Sequence, residues 1–179
     1  GDEFIDSAAI EANVDAAPGN GDMPGRLVFY TSPDGTTGLQ ERMRITESGN
    51  VNIGAKDYHT HQTTVDSLQI GYALNLYEDS YNTGTLNYAV WANNSYYSAG
   101  GGNKYMRNDE ASRIMQYDGN LAFQNAPAGT ADNAVTFTDR LKVDSNGKLL
   151  HSSTGSALSA VTIESQVRPY QQFDSKPGI

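Results

Sequence analysis

The chain contains no cysteine. That excludes a disulfide framework, a thiolate zinc site and a thiol nucleophile, and it suits a protein that works outside cells without redox control. Long apolar runs are also missing. The apolar runs are short, such as Leu27-Val28-Phe29 and Leu149-Leu150, far below the ~20 residues of a membrane span. Only 37% of the 179 residues are hydrophobic, which makes a thin core for a single compact chain of this length. Cations are scarce: 12 Lys and Arg stand against 21 Asp and Glu, for a net charge of −9. Such a surface repels nucleic-acid phosphate and anionic lipid, so neither is an expected partner. No phosphate loop, dinucleotide fingerprint or nucleophile elbow occurs. No long segment holds a 3.6-residue apolar period, and the chain reads as almost all-β.

What is present in their place is repetition. One heptapeptide pattern occurs three times: Ile45-Thr46-Glu47-Ser48-Gly49-Asn50-Val51, Met115-Gln116-Tyr117-Asp118-Gly119-Asn120-Leu121 and Val143-Asp144-Ser145-Asn146-Gly147-Lys148-Leu149. Ser, Asp or Asn before Gly tolerates the positive φ angles of tight turns, so each copy predicts a β-hairpin. The first and third copies sit inside a longer duplicated unit. Leu27-Val28-Phe29, Pro33-Asp34-Gly35-Thr36 and Glu41-Arg42-Met43-Arg44-Ile45 correspond to Leu121-Ala122-Phe123, Pro127-Ala128-Gly129-Thr130 and Asp139-Arg140-Leu141-Lys142-Val143. The unit is a strand, a Pro/Gly loop, a strand, a tight turn and a strand. A chain that repeats a small unit builds something extended, structural or adhesive more readily than catalytic.

These repeats divide the chain. Residues 1–24 form an N-terminal connecting segment in which Ala8–Ala12 allows a short helix, followed by a Pro/Gly loop. Residues 25–54 are the first β-repeat and 119–151 the second. Residues 55–118 form an aromatic-rich insert, or knob, holding nine of the eleven Tyr and the single Trp. Within it, residues 67–77 read as one strand with Leu68, Ile70, Tyr72, Leu74 and Leu76 on one face. Asn82-Thr83-Gly84 reads as a turn, residues 86–91 as another strand, and Gly100-Gly101-Gly102 as a flexible loop. Residues 152–179 read as a weakly ordered tail. The acidic start Gly1-Asp2-Glu3 shows no signal peptide and marks the chain as a piece of a longer polypeptide.

The phrase Asp22-Met23-Pro24-Gly25-Arg26-Leu27-Val28-Phe29, followed by Glu41-Arg42-Met43-Arg44-Ile45-Thr46-Glu47-Ser48-Gly49-Asn50-Val51-Asn52-Ile53-Gly54, resembles a repeat of bacteriophage tail fibres and related virion fibre proteins. The likeness is good over 25–54, degenerate over 119–151 and nearly absent over 55–118. It implies an elongated, intertwined homotrimer of β-prism type, located on a virion outside the cell and serving attachment to a host. Many such proteins carry a C-terminal self-cleaving chaperone domain; none is visible here. Short apolar strands and abundant turns suit three chains that share one axis and leave few exposed edges.

Two clusters are candidates for chemistry. His59 and His61 sit two apart, which on a strand places both imidazoles on one face. Around a threefold axis, three such pairs supply six nitrogens, a set that suits octahedral iron or nickel better than tetrahedral zinc. Sites of this kind occur in the fibre proteins that the chain resembles. The plainer alternative is a solvated pair. Tyr88, Trp91, Asn94, Tyr96, Tyr97 and Tyr105 combine aromatic rings with amides. This is the chemistry that stacks and hydrogen-bonds sugars, and it points to a host glycan or protein receptor; the alternative is that the rings serve the core or subunit interfaces. The adjacent pairs Glu78-Asp79 and Asp109-Glu110 read as surface turns, not as the two separated carboxyls of a glycosidase. Asp144-Ser145-Asn146-Gly147 lacks the Glu of a calcium loop. The expected function is therefore non-enzymatic: a structural virion fibre binding host cells multivalently, with other virion proteins as further partners. A purely structural connector or decoration protein and a polysaccharide-degrading tailspike are the alternatives.

Overall fold

A computed structural model describes residues 6–54, 59–62, 64–79, 88–152 and 159–160. The expected turn at 82–84, Leu86 and Asn87, Asp57 and Tyr58, and most of the expected tail lie outside these residues. The described chain is all-β and contains no helix. Residues expected to allow a short helix instead form strand β1 (Ala8–Val14), because they pair in unbroken antiparallel register with β2 (Gly25–Thr31).

Twelve strands make one sheet whose order follows the chain. After β1 and β2 come β3 (Gln40–Ile45), β4 (Val51–Ile53), β5 (Val65–Ile70), β6 (Leu74–Asp79) and β7 (Tyr88–Asn93). A hairpin of β8 (Ser95–Tyr97) and β9 (Asn103–Tyr105) leaves the sheet as a separate two-stranded piece. The sheet then resumes with β10 (Asp109–Tyr117), β11 (Asn120–Gly129), β12 (Thr138–Val143), β13 (Leu149–His151) and β14 (Ser159–Ala160). Only β4 and β5 run parallel. The single strand expected over 67–77 is two: the chain reverses at Gly71, whose N–H bonds the carbonyl of Ile53 at 2.7 Å, and Leu68 comes to face Leu76.

All three heptapeptides form hairpins, by two different turns. In the first and third, Ile45 faces Val51 and Val143 faces Leu149. The Gly49 N–H bonds Thr46 O at 3.0 Å and the Gly147 N–H bonds Asp144 O at 2.9 Å. Only the Gly has positive φ in these two, the geometry of a three-residue loop with a glycine bulge. In the second, Tyr117 faces Asn120 across a two-residue turn, with both Asp118 (φ 47°) and Gly119 (φ 74°) left-handed. The Asp-Gly pair meets that type I′ demand at little cost.

The duplicated sequence folds twice in the same way, down to its irregularity. The register of β2 on β3 shifts between Phe29 and Tyr30, and that of β11 on β12 shifts between the corresponding Phe123 and Gln124. At each bulge an arginine Nε donates to the partner strand: Arg42 to Thr31 Oγ1 at 2.8 Å and Arg140 to Asn125 Oδ1 at 2.7 Å. The structural unit also extends one strand upstream of the sequence repeat. Ile10 faces Phe29 and Ile114 faces Phe123, so β1 stands to the first unit as β10 stands to the second.

The two faces of the sheet are unlike. One carries a cross-strand row of Leu27, Ile45, Val51, Leu68, Leu76, Trp91, Ile114, Phe123 and Leu141. A parallel row of Ile10, Phe29, Met43, Ile53, Ile70 and Leu74 lies beside it. Both rows are half-buried to exposed. The other face holds the buried core, Val28, Val65, Tyr77, Val90, Ala92, Ala111, Ala122 and Ala126, together with a buried amide ladder of Asn52, Gln69 and Asn75. A second layer covers that face, built from residues 59–62, the β8–β9 hairpin and the 130–137 segment. The carboxamide oxygen of Asn103 ties this layer down, accepting from Tyr77 OH at 3.0 Å and Arg113 Nη1 at 2.9 Å.

Candidate functional site

The six residues expected to bind a ligand do not form one surface. Trp91 lies on the aliphatic face with 59% of its area exposed. The other five belong to the opposite side, where they build the covering layer. Tyr96 is buried and its hydroxyl donates to Asp132 Oδ1 at 2.8 Å; burial, then that carboxylate, push the phenol well above its ordinary pKa. Tyr105 is buried and donates to Pro127 O at 2.6 Å. Its ring occupies the space beside Gly129, where an added Cβ would stand 2.1 Å from Cε2. Tyr88 and Tyr97 are half-buried, with ring centroids 6.2 Å apart, against the cluster of Val65, Tyr77, Val90 and Ala92. Asn94 is buried at φ 57°. Its amide accepts from Arg107 N at 2.8 Å and donates to Glu110 O at 2.9 Å, which fixes the 106–110 loop. Tyr96, Tyr105 and Asn94 are struts, their polar ends spent on positioning loops.

The histidines pack on one side of that layer. His59 stacks on Tyr96 with centroids 4.4 Å apart, and His61 lies 5.9 Å from both Tyr96 and Tyr77. His61 is only 4% exposed, and its Nε2 stands 3.2 Å from Asn75 Nδ2. Because the Asn75 amide donates, Nε2 is the acceptor and the ring is the neutral Nδ1–H form. Burial, and then the charge of His59, pull His61 down to about 4. Among the described residues no three His, Asp or Glu side chains are placed to hold a metal. An imidazole sealed beneath Tyr96 and engaged by Asn75 does not fit a ligand set shared between three chains.

Nor, among the described residues, do carboxylates converge on a groove. Asp15 and Glu47 come together at the end of β1, where the Glu47 N–H donates to Asp15 Oδ2 at 3.1 Å. The hydrogen bond to Asp15 raises Glu47. At Asp15, burial acts upward but is outweighed by Glu47 and Arg26, which hold it low. A pair in direct contact cannot flank a scissile bond. The expected surface turns are strands: Asp109 accepts from the Glu110 N–H at 2.9 Å at the exposed start of β10, and Glu78 is exposed in β6 on the aliphatic side.

The aliphatic face is the other prominent surface: Ile53, Ile70, Leu76, Trp91 and Phe123 are all exposed on it, and exposed apolar patches mark interaction surfaces when they are large. Grooves of about 420 Å³ and 390 Å³ flank Trp91, one floored by Leu76 and Ile114 and the other by Ile114 and Phe123. The alternation that makes this face is legible in the sequence, in Leu27/Phe29, Met43/Ile45, Val51/Ile53, Leu68/Ile70 and Leu74/Leu76. No family model, curated protein or solved structure matches the chain.

Proposed function

We propose that the chain is a non-enzymatic structural module of a virion fibre, assembled as a homotrimer with the aliphatic face of each sheet turned toward the shared axis. The observation that carries this reading is the apolar row running across β2 to β12. The open side of the sheet carries a continuous row of large aliphatic and aromatic side chains, while the covered side mixes a core of Val, Ala and Tyr with buried amides and hydroxyls. Burying that row between copies supplies the hydrophobic stabilisation that one chain lacks. The resemblance of 22–29 and 41–54 to fibre repeats supports the same assembly, and the outward layer of fixed loops suits multivalent contact with a host surface.

A purely structural connector or decoration protein is the second reading. It is favoured by the burial of Tyr96, Tyr105 and Asn94, which leaves them to hold loops and not to meet a receptor. Two measurements separate the possibilities. Light scattering at low micromolar concentration is expected to give three times the 19.3 kDa chain mass, or a whole multiple of three; a stable monomer overturns the assembly reading. Binding of fluorescent trimer to host cells supports the attachment role, and a trimer that binds no cells moves the function to the connector.

A further inference from the structure

We infer that β1 is an open assembly edge that pairs antiparallel with β1 of a second copy of this chain, through the outward N–H and C=O groups of its backbone. The backbone geometry comes first. The Ser32 N–H bonds Ser7 O at 2.9 Å and the Asp15 N–H bonds Pro24 O at 2.9 Å, at the two ends of the β1–β2 ladder. Hydrogen-bonded pairs alternate along an antiparallel ladder, so the odd residues 7 to 15 bond inward to β2. Ala8, Ile10, Ala12 and Val14 therefore aim their N–H and C=O groups outward, and among the described residues no strand pairs with that side.

Apart from the single charge of Glu11, this edge lacks the usual protections. Its seven-residue register is regular, without a bulge. It carries no Pro, Lys or Arg, and Ile10 and Val14 are 68% and 50% exposed. Natural sheets guard such edges because a regular, apolar one templates pairing with another chain. The molecule also shows what fills the corresponding edge. In the second unit, β10 stands where β1 stands in the first, and its outer side is taken antiparallel by β7 over six residues, with Trp91 facing Ile114.

The sequence of β1 makes a copy of itself a fitting occupant. Ala8, Ile10 and Ala12 are symmetric about Ile10. An antiparallel pair centred there sets Ile10 against Ile10 and Ala8 against Ala12. It sets Glu11 against Ala9, whereas centring on Glu11 would oppose two like charges. Three-fold packing uses the side chains of the faces and two-fold pairing the outward backbone groups of β1, so edge pairing joins two trimers.

The absence of cysteine gives a clean test. Under mild oxidation, Ile10→Cys is expected to form a disulfide-linked dimer, because directly opposed residues lie within bridging distance. Ala8→Cys and Ala12→Cys are each expected to stay unlinked alone and to link when mixed. Ala9→Cys, which keeps Glu11 and is opposed to it in the partner, is expected to stay unlinked. Ala12→Pro removes one outward N–H without touching the β1–β2 ladder, and should abolish cross-linking in the Ile10→Cys background while leaving the melting temperature within a few degrees. Absence of linkage in Ile10→Cys overturns the proposal, as does equal linkage in Ala9→Cys. Ile10 also lies on the aliphatic face, so the cross-link is assigned to the edge by the mixed Ala8/Ala12 linkage and by its loss with Ala12→Pro: linked dimers of an otherwise monomeric protein would sink the face reading alone.

Discussion

His61 shows how much of this fold depends on neutral polar groups kept from water. Its ring is buried, held as an acceptor by Asn75, and titrates at about 4 where an exposed imidazole would titrate at 6.5. The unfolded chain therefore binds a proton between those values that the folded chain refuses, and stability must fall as pH drops through that window. The full contribution is present above pH 6.5, and the loss is complete below pH 4. Between pH 7 and pH 5 the expected loss from this residue is about 2 kcal/mol. Urea unfolding of the wild type and of His61→Gln at both pH values isolates it, since carboxylates contribute equally to both proteins. The variant should lose about 2 kcal/mol less over the interval, and equal losses would show that His61 is not held neutral. A pair of histidines two apart was visible in the sequence. That one of them is sealed under Tyr96 was not, because the covering layer that seals it comes from residues 96–105 and 130–137, distant along the chain.

At the scale of elements, the sequence carried the hairpins because turn chemistry is local. The duplicated unit was equally legible, from Leu27-Val28-Phe29 and its counterpart Leu121-Ala122-Phe123 onward. Two things were not. The extra strand at the head of each unit is invisible, since Ala8–Val14 and Asp109–Tyr117 share a place in the sheet but little sequence beyond the isoleucine. The reversal at Gly71 is hidden because the same period-two pattern continues on both sides of it, Leu68 and Ile70 before, Leu74 and Leu76 after. Nor does the pattern Ser/Asp/Asn-Gly distinguish the two turn types. The structure places Asp118 at φ 47° and leaves Ser48 and Asn146 out of the left-handed region. A β-branched residue is penalised in that region and tolerated outside it. Asp118→Val is therefore expected to cost about 1–2 kcal/mol, against about 0.5 kcal/mol or less for Asn146→Val, a surface turn substitution. Chemical denaturation of the two variants checks this, and equal costs would mean that the second hairpin does not need its I′ turn.

At the scale of the whole molecule, alternation told which residues share a face but not which face is covered. Hydrophobic residues usually mark the inside. Here the covering layer of residues 59–62, β8–β9 and 130–137 lies over the side that bears Asn52, Gln69 and Asn75, and the aliphatic row is left open. The open row is comprehensible as the interior of a larger assembly, while on the covered side Gln69 Nε2 donates to Gly71 O and Asn75 Nδ2 to Ser95 O within one chain. Trp91 stands near the middle of that row, between its two grooves, and removing its exposed ring from water is worth about 2–3 kcal/mol per copy. Trp91→Asp forfeits this in every subunit and adds a charge that must be desolvated. The same substitution at Thr60, exposed on the covering layer, changes charge equally on the other side of the sheet. Sedimentation is expected to find Trp91→Asp monomeric with its far-ultraviolet spectrum intact and Thr60→Asp still assembled. Each copy carries a net charge of −9, so like charges oppose association of the wild type, and added salt should strengthen it by screening them. If Trp91→Asp assembles as the wild type does, or if salt dissolves the assembly, the aliphatic face is not the interface.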